Sequence, residues 1–469
     1  MFGQSIVLAA VCQLLTLTAA LPTESDSLSQ RPSIEVTPQG AFKPFPFSPA
    51  RHKTCHIKSH GDGSDDSKYI LRAFRKCSPG GRVVFDKDKV YTIGKAMDIR
   101  FLKRVDIDIQ GKIVMTNDID YWLANSFKYA FQDSSSFIQI GGADINIYGG
   151  GEIDGNGQAW WDARMNNKTI QRPILVTYMD FHGGSVSNIT LRNSPNWFQL
   201  VYNSSNIVFD SMYLNASSSN SNPTANSDGW DTYRSDNIVI QNSRIFNSDG
   251  ESLYPFDDGD LSDMVRLRII QAEQYEHPRA GNISQAYVTR PELIISGKNL
   301  YCNGSHGISV GSLGQYVGQV DIVENILVYN TSLNNASDGA RIKIWPGAIG
   351  NSTNTGGGSG WVRNVTYDGM HNYNNDWAIE MTQCYFAPNQ TACNEHPASL
   401  IIEDVLFKNF DGTTSRKRAP YIATLVCSSP DVCKNIRTEN INVISPSGTD
   451  DAICTNMDRS LLDLRCTKG

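Results

Sequence analysis

From about residue 100 onward the chain keeps returning to one phrase: a short, alternating run of β-branched residues closed by Asn, Ser, Gly or Asp. VDIDIQGKIVM, ADINIYGGGEIDG, SNITLRNS, SNIVFDSMYLNA, DNIVIQNSRIFN, ELIISGKNLYCNG, VENILVYNTSLNN and VRNVTYDGMHNYNN are instances. Alternation with a period of two gathers apolar side chains on one face of a strand and scatters them around a helix. Between Asn-Ile or equivalent steps the spacing is uneven: 18 residues from Ile189 to Ile207, 31 from Ile207 to Ile238, and 39 from Ile326 to Val365. Propeller blades are more regular than this, whereas a parallel β-helix accepts loops of differing length between its strands. The expectation is an all-β, single-domain parallel β-helix over residues 51–469, each coil burying its inward residues against the coils on either side. Helical signal is sparse. The best case, SKYILRAFRKC at 67–77, follows Asp65-Asp66 as a cap and predicts a short helix closing the N-terminal end of the solenoid.

The termini and cysteines predict the compartment. An apolar run over residues 6–20 ends in Thr18-Ala19-Ala20, small residues suited to cleavage, so residues 1–20 are predicted to be a signal peptide. The run is short of the roughly 20 residues that span a bilayer, and no membrane association is expected. Residues 21–50, rich in Ser, Pro and Thr, read as a leader or linker. Sequons at Asn167, Asn188, Asn203, Asn215, Asn282, Asn303, Asn330, Asn335, Asn351, Asn364 and Asn389 predict a secreted, extracellular glycoprotein. A net charge of −7 without a basic stripe argues against nucleic acid as a partner. A monomer is expected. Loss of the signal removes Cys12 and leaves nine cysteines. Close spacing suggests Cys55–Cys77, Cys384–Cys393, Cys427–Cys433 and Cys454–Cys466, although spacing does not fix connectivity; Cys302 is then left over.

Residues one coil apart in a β-helix lie about 4.8 Å apart, so polar residues that return at coil spacing on an outward face build a groove. In NSDGWD, 226–231, Asn226 and Asp228 are two apart and are expected to point the same way. Asp249 lies 21 residues beyond Asp228, close to one coil, which would stack two carboxylates. Arg341 and Lys343 of RIK share a face by the same rule, and paired cations suit a sugar that carries a carboxylate. His306 follows a Gly-rich turn in CNGSHGISVGS. Taken singly, Asp-Gly pairs are ordinary turns and RIK is a strand with solvated charges. Their joint occurrence in this order carries the signal.

Together these residues resemble the polygalacturonase family of glycoside hydrolases, known for right-handed parallel β-helices that hydrolyse pectin. The family's motifs stand here as Asn226-Ser227-Asp228, Asp249, Gly304-Ser305-His306-Gly307 and Arg341-Ile342-Lys343, with GGGEIDGNGQAWWD at 149–162 a further likeness. NSDGWDTYRS and GSHGISVGSLGQY are closer to fungal exo-acting members than to endo-acting ones. The resemblance covers roughly residues 50–469 and implies inverting hydrolysis of a pectic polysaccharide, with a water held between carboxylates. It makes Asp249 the general acid, Asp228 a helper in activating the water, and His306 a support for the acid. Asn226, Arg341 and Lys343 become substrate-binding residues, the two cations gripping a galacturonate carboxylate. No metal or cofactor is implied. A rhamnogalacturonan hydrolase and a catalytically impaired pectin-binding β-helix are the alternatives.

The family pattern fails directly after Asp249, where Asp and then Cys should follow but Gly250-Glu251 stand. From Asp249 to His306 there are 57 residues, far more than one coil, and residues 250–285 show little of the strand-and-Asn rhythm. The family's Cys at that place can bridge the one before the Gly-x-His-Gly turn, so its loss accounts for Cys302. Two origins fit, an insertion in the active-site loop or translated intron entering within the second Asp codon, and the second is favoured because one interruption removes both residues. The Asp257–Asp258 pair is expected to be a solvated acidic loop.

Overall fold

The computed structural model describes residue 32 and residues 47–247, 267–270, 272–273, 295–304, 306–350 and 355–468. Strands stack in parallel, rung on rung. One stack runs through Val176–Ser187, Ser205–Asp210, Asp236–Gln241, Ile295–Asn303, Val320–Asn334, Ser359–Asn375, Ser399–Thr414 and Cys433–Ile444. A second runs through Gln199–Tyr202, Trp230–Tyr233, Leu267–Ile270, Ile308–Leu313, Asp338–Ile344, Trp377–Thr382, Tyr421–Val426 and Asp451–Thr455. This is the expected parallel β-helix.

The sequence phrases explain both halves of each rung. Inward residues such as Ile207, Ile238, Val328, Val365 and Val405 are fully buried in one continuous core. Each fully buried aliphatic or aromatic side chain contributes about 1.5–3 kcal/mol. Tyr367 and Phe407 stack one rung apart, with ring centroids 5.4 Å apart. Asn residues at either end of the runs bend the chain: Asn206, Asn237, Asn242, Asn299 and Asn330 all have φ between 48° and 58°. Asn tolerates that left-handed conformation better than other non-Gly residues. Its amide then bonds the rung below, Asn237 to Asn206 at 2.7 Å, Asn299 to Asn242 at 3.0 Å and Asn330 to Asn299 at 2.8 Å.

The predicted helix forms as Ser67–Cys77, burying Ile70, Ala73, Phe74 and Cys77 against the first coil. Its two preceding acids divide the work. Asp65 accepts from the Ser67 amide and hydroxyl at 3.1 and 2.5 Å, while Asp66 turns inward to the His60 and Thr92 amides at 2.8 and 3.0 Å. All four suggested disulfides are present, and Cys302 is a free, buried thiol that burial pushes up to about 12.

Two expectations need correction, and one spacing is explained. The 18 residues from Ile189 to Ile207 are not a coil, because Thr190 pairs with Tyr213 and Ile207 with Gly184. Asn226 and Asp228 do not share a strand face: Asn226 sits at φ 53° in the turn before Trp230–Tyr233. The stretch 250–285 does contain a rung, since Leu267–Ile270 pairs in parallel with Trp230–Tyr233.

Candidate active site

The second stack carries the candidate residues. In Asp338–Ile344, Ala340, Ile342 and Ile344 enter the core, so Arg341 and Lys343 project from the opposite face, as expected. Rung register places Arg341 between Ser309 and Glu380, and Lys343 between Gly311 and Thr382. Trp230–Tyr233, which the Asn226–Asp228 turn feeds, lies three rungs away in the same stack, at about 4.8 Å per rung.

Arg341 is buried and already engaged. Its Nη1 lies 3.0 Å from Asp338 Oδ2 and its Nε 2.5 Å from Glu380 Oε2. Burial disfavours the cation, but the Asp338 and Glu380 carboxylates outweigh that and hold its pKa above the ordinary value. A substrate carboxylate therefore meets only the remaining edge of the guanidinium. Burial lifts the Asp338 carboxyl to about 7; Arg341 opposes the shift and Glu380 adds to it. Lys343 is buried too, with Nζ 5.1 Å from the Tyr385 ring centre. Tyr385, Phe386 and Trp345 form an aromatic cluster beside it, Trp345 stacking on Phe386 at 5.0 Å.

His306 is half-buried and reaches this strand through a hydroxyl. Its Nδ1 contacts Ser337 Oγ, which donates to Asp338 Oδ2 at 2.5 Å. Gly307 makes the approach possible: at φ 77°, a β-carbon there would collide with the Asp338 and Gly339 carbonyls. So His306 and Arg341 are joined through Ser337 and Asp338.

The Asn226–Asp228 turn is pinned from three sides. Buried Arg172 donates to the Asn226 side-chain oxygen and to the Ala225 and Pro195 carbonyls at 2.5 and 2.7 Å. The Asp228 carbonyl accepts from the Phe198 amide at 2.7 Å, and the Asn247 side chain donates to the Ser227 carbonyl at 3.0 Å. Asp228 itself is buried. Asp249 lies outside the described residues, two positions beyond Asn247. Sequence reasoning missed Glu380, Asp338, Ser337, Tyr385 and Arg172. Only Ser337 and Asp338, four and three residues before Arg341, had a local signal; the others arrive from a neighbouring rung or distant loops.

Several sequon asparagines are tied up. Asn203 donates to Asp180 at 2.6 Å, Asn330 to Asn299 at 2.8 Å, Asn335 to Asn303 at 3.2 Å and Asn364 to Asn325 at 2.6 Å. Exposed Asn167 and Asn389 use their side-chain oxygens, accepting from the amides of Thr169 and Ala392 at 3.1 and 2.9 Å. Asn188 is exposed at a turn with φ 50°. Asn282 and Asn351 lie outside the described residues.

Comparison with known proteins agrees with this architecture. The family model for glycosyl hydrolases family 28 matches residues 100–251 and 287–464, so its break coincides with the stretch that departs from the coil rhythm. The chain is 51% identical to a probable exopolygalacturonase X of Aspergillus fumigatus, over 97% of this chain and 98% of that one. It is 52% identical to exopolygalacturonase X-1 of Emericella nidulans, over 92% and 93%. The crystal structure of an endo-xylogalacturonan hydrolase from Aspergillus tubingensis superposes with a TM-score of 0.72 at 28% identity, covering 89% of this chain and 99% of that one.

Proposed function

The chain belongs to glycosyl hydrolase family 28, and on that premise we propose that it is a secreted hydrolase releasing galacturonic acid from the ends of polygalacturonate chains. The observation that carries the site is Arg341 and Lys343 projecting together beside the Tyr385 ring, in the stack that the Asn226–Asp228 turn feeds. Cations recognise the sugar carboxylate, and an aromatic face covers the apolar side of a sugar ring. Lys343 and the unengaged edge of Arg341 hold the galacturonate, and Asn226 lines the turn beside it. Asp249 protonates the leaving oxygen, Asp228 helps activate a water on the opposite face, and His306 supports the acid. Inversion needs the two carboxyl groups about 6.5–9.5 Å apart to admit that water. The Asn247–Ser227 contact supports this assignment, since it brings the chain leading to Asp249 beside the chain leading to Asp228.

Product analysis on polygalacturonate tests the reading. Galacturonic acid as sole early product is expected, and mixed oligomers would overturn exo action. Release from a rhamnogalacturonan backbone in preference to polygalacturonate would move the substrate to the alternative one.

A second reading has its own observation. Gly250-Glu251 replace the expected Asp-Cys, and Cys302 is a free thiol. A chain carrying residues 250–285 is then a pectin-binding β-helix with impaired catalysis, and Asp249→Asn leaves its residual activity unchanged. We attribute residues 250–285 to translated intron. Transcript sequencing across 245–300 is expected to lack that stretch; an uninterrupted message encoding it would overturn the attribution.

A further inference from the structure

The hydroxyl of Ser337 has one hydrogen to give. It lies between His306 Nδ1 and Asp338 Oδ2, 2.5 Å from the latter, and it donates to that carboxylate whenever Asp338 is ionised. A hydroxyl that donates to one neighbour must accept from the other, so in that state the ring carries a hydrogen on Nδ1. Asp338 is in turn held on the same oxygen by Arg341 at 3.0 Å, and Arg341 is held by Glu380, its partner on the next rung, at 2.5 Å. The chain His306–Ser337–Asp338–Arg341–Glu380 is thus continuous, buried at Asp338 and Arg341 and half-buried at its other members, with two carboxylates around one guanidinium.

We propose that Ser337 and Asp338, braced by Arg341 and Glu380, are positioning residues that fix which ring nitrogen of His306 carries the proton. The proposal rests on the reading that His306 serves the reacting centre. The arrangement has two hydrogen-bonded states. With Asp338 ionised, Nδ1–H donates to Ser337 and Ser337 donates to Asp338. With Asp338 protonated, its O–H donates to Ser337, the hydroxyl rotates to donate to Nδ1, and the neutral ring carries its hydrogen on Nε2. The second state holds one more proton, on Asp338, taken from solvent. The ring's own proton leaves Nδ1 and returns at Nε2, so the count balances. The charged and titratable groups around Asp338 are Arg341 on its own strand, Glu380 on Trp377–Thr382 and, through Ser337, His306 before Ile308–Leu313. Tyr385 faces Arg341 from the segment after Trp377–Thr382.

The test is nitrogen NMR on the full chain labelled at histidine, with His306→Gln used to assign the His306 signals. In the unmodified chain the Nδ1-protonated form should dominate above pH 7 and give way to the Nε2-protonated or doubly protonated ring on acidification. Ser337→Ala should abolish the dominance of the Nδ1-protonated form, and Ser337→Thr, which keeps the hydroxyl, should restore it. Glu380→Gln should move the crossover to lower pH. Identical tautomer populations in the unmodified chain and Ser337→Ala would overturn the proposal. On polygalacturonate, Ser337→Ala should lower kcat roughly tenfold to a hundredfold, at or below the roughly 10²–10⁴-fold that a general acid or base itself supplies, with KM little changed. A loss confined to KM would also overturn it. The NMR arm needs no turnover, so a chain inactive on polygalacturonate would sink the functional reading and leave this one measurable.

Discussion

Arg341 divides its guanidinium between Asp338 and Glu380, and the consequence reaches stability as well as binding. A carboxyl lifted to about 7 in the folded chain binds its proton more tightly there than in the unfolded chain. The folded state then holds more protons between roughly pH 4 and 7, and this group's contribution falls as pH rises through that window. Thermal unfolding should show a Tm that declines from pH 5 to pH 7.5, and Asp338→Asn should flatten that decline. An unchanged pH slope in the variant would refute the assignment. Single asparagines also decide where sugar can attach. An amide nitrogen that donates into a neighbouring rung is held along the stack and competes with glycan attachment at the same atom, so glycopeptide mass spectrometry should find glycans at Asn167, Asn188 and Asn389. Asn330, Asn335 and Asn364 should be bare.

The rung is the repeating element, and its turn is its weak point. Asn237 combines a left-handed φ of 48° with an amide bonded to Asn206 at 2.7 Å. Asn237→Ala loses the hydrogen bond and strains the turn, at a cost of about 1–3 kcal/mol. Asn237→Gly loses only the bond and should cost less, an order that denaturant midpoints will read. At the N-terminal end the Cys55–Cys77 bridge closes a 22-residue separation that ties the Ser67–Cys77 helix to the first strand. Cys55→Ser with Cys77→Ser should cost about 3 kcal/mol. Hydrogen exchange should then speed up first in Lys53–His56 and Gly81–Phe85.

For the whole molecule, one core runs the length of the stack, from Cys55 through Cys454, so an interruption in one coil is bridged by neighbours on both sides. That is how Leu267–Ile270 keeps its place between Trp230–Tyr233 and Ile308–Leu313 although the family match breaks around it. Four bridges use eight cysteines and leave Cys302. Thiol titration in denaturant should therefore find one thiol per chain once the signal is removed. Protein secreted by the native host should show none, if splicing restores the missing partner. One thiol in the native protein would argue that residues 250–285 are retained.

The sequence by itself determined the class of fold, the helix at 67–77 and the placing of Arg341 and Lys343 on one face, and it suggested the four disulfides that the structure then paired. All of these are written in short-range pattern: alternation with a period of two, amphipathic spacing, or cysteines within 22 residues of each other. Register was different. Thr190 meets Tyr213 and Trp230 meets Leu267 because of how many residues each loop consumes, and alternation carries no information about that. The surroundings of the site follow from register. Glu380 faces Arg341 only because one particular loop brings its strand onto the next rung, and the Asn226–Asp228 turn escapes the strand rule only because Asn226 takes a left-handed φ. Local pattern named the residues that carry charge; the stacking of distant rungs decided which charges meet.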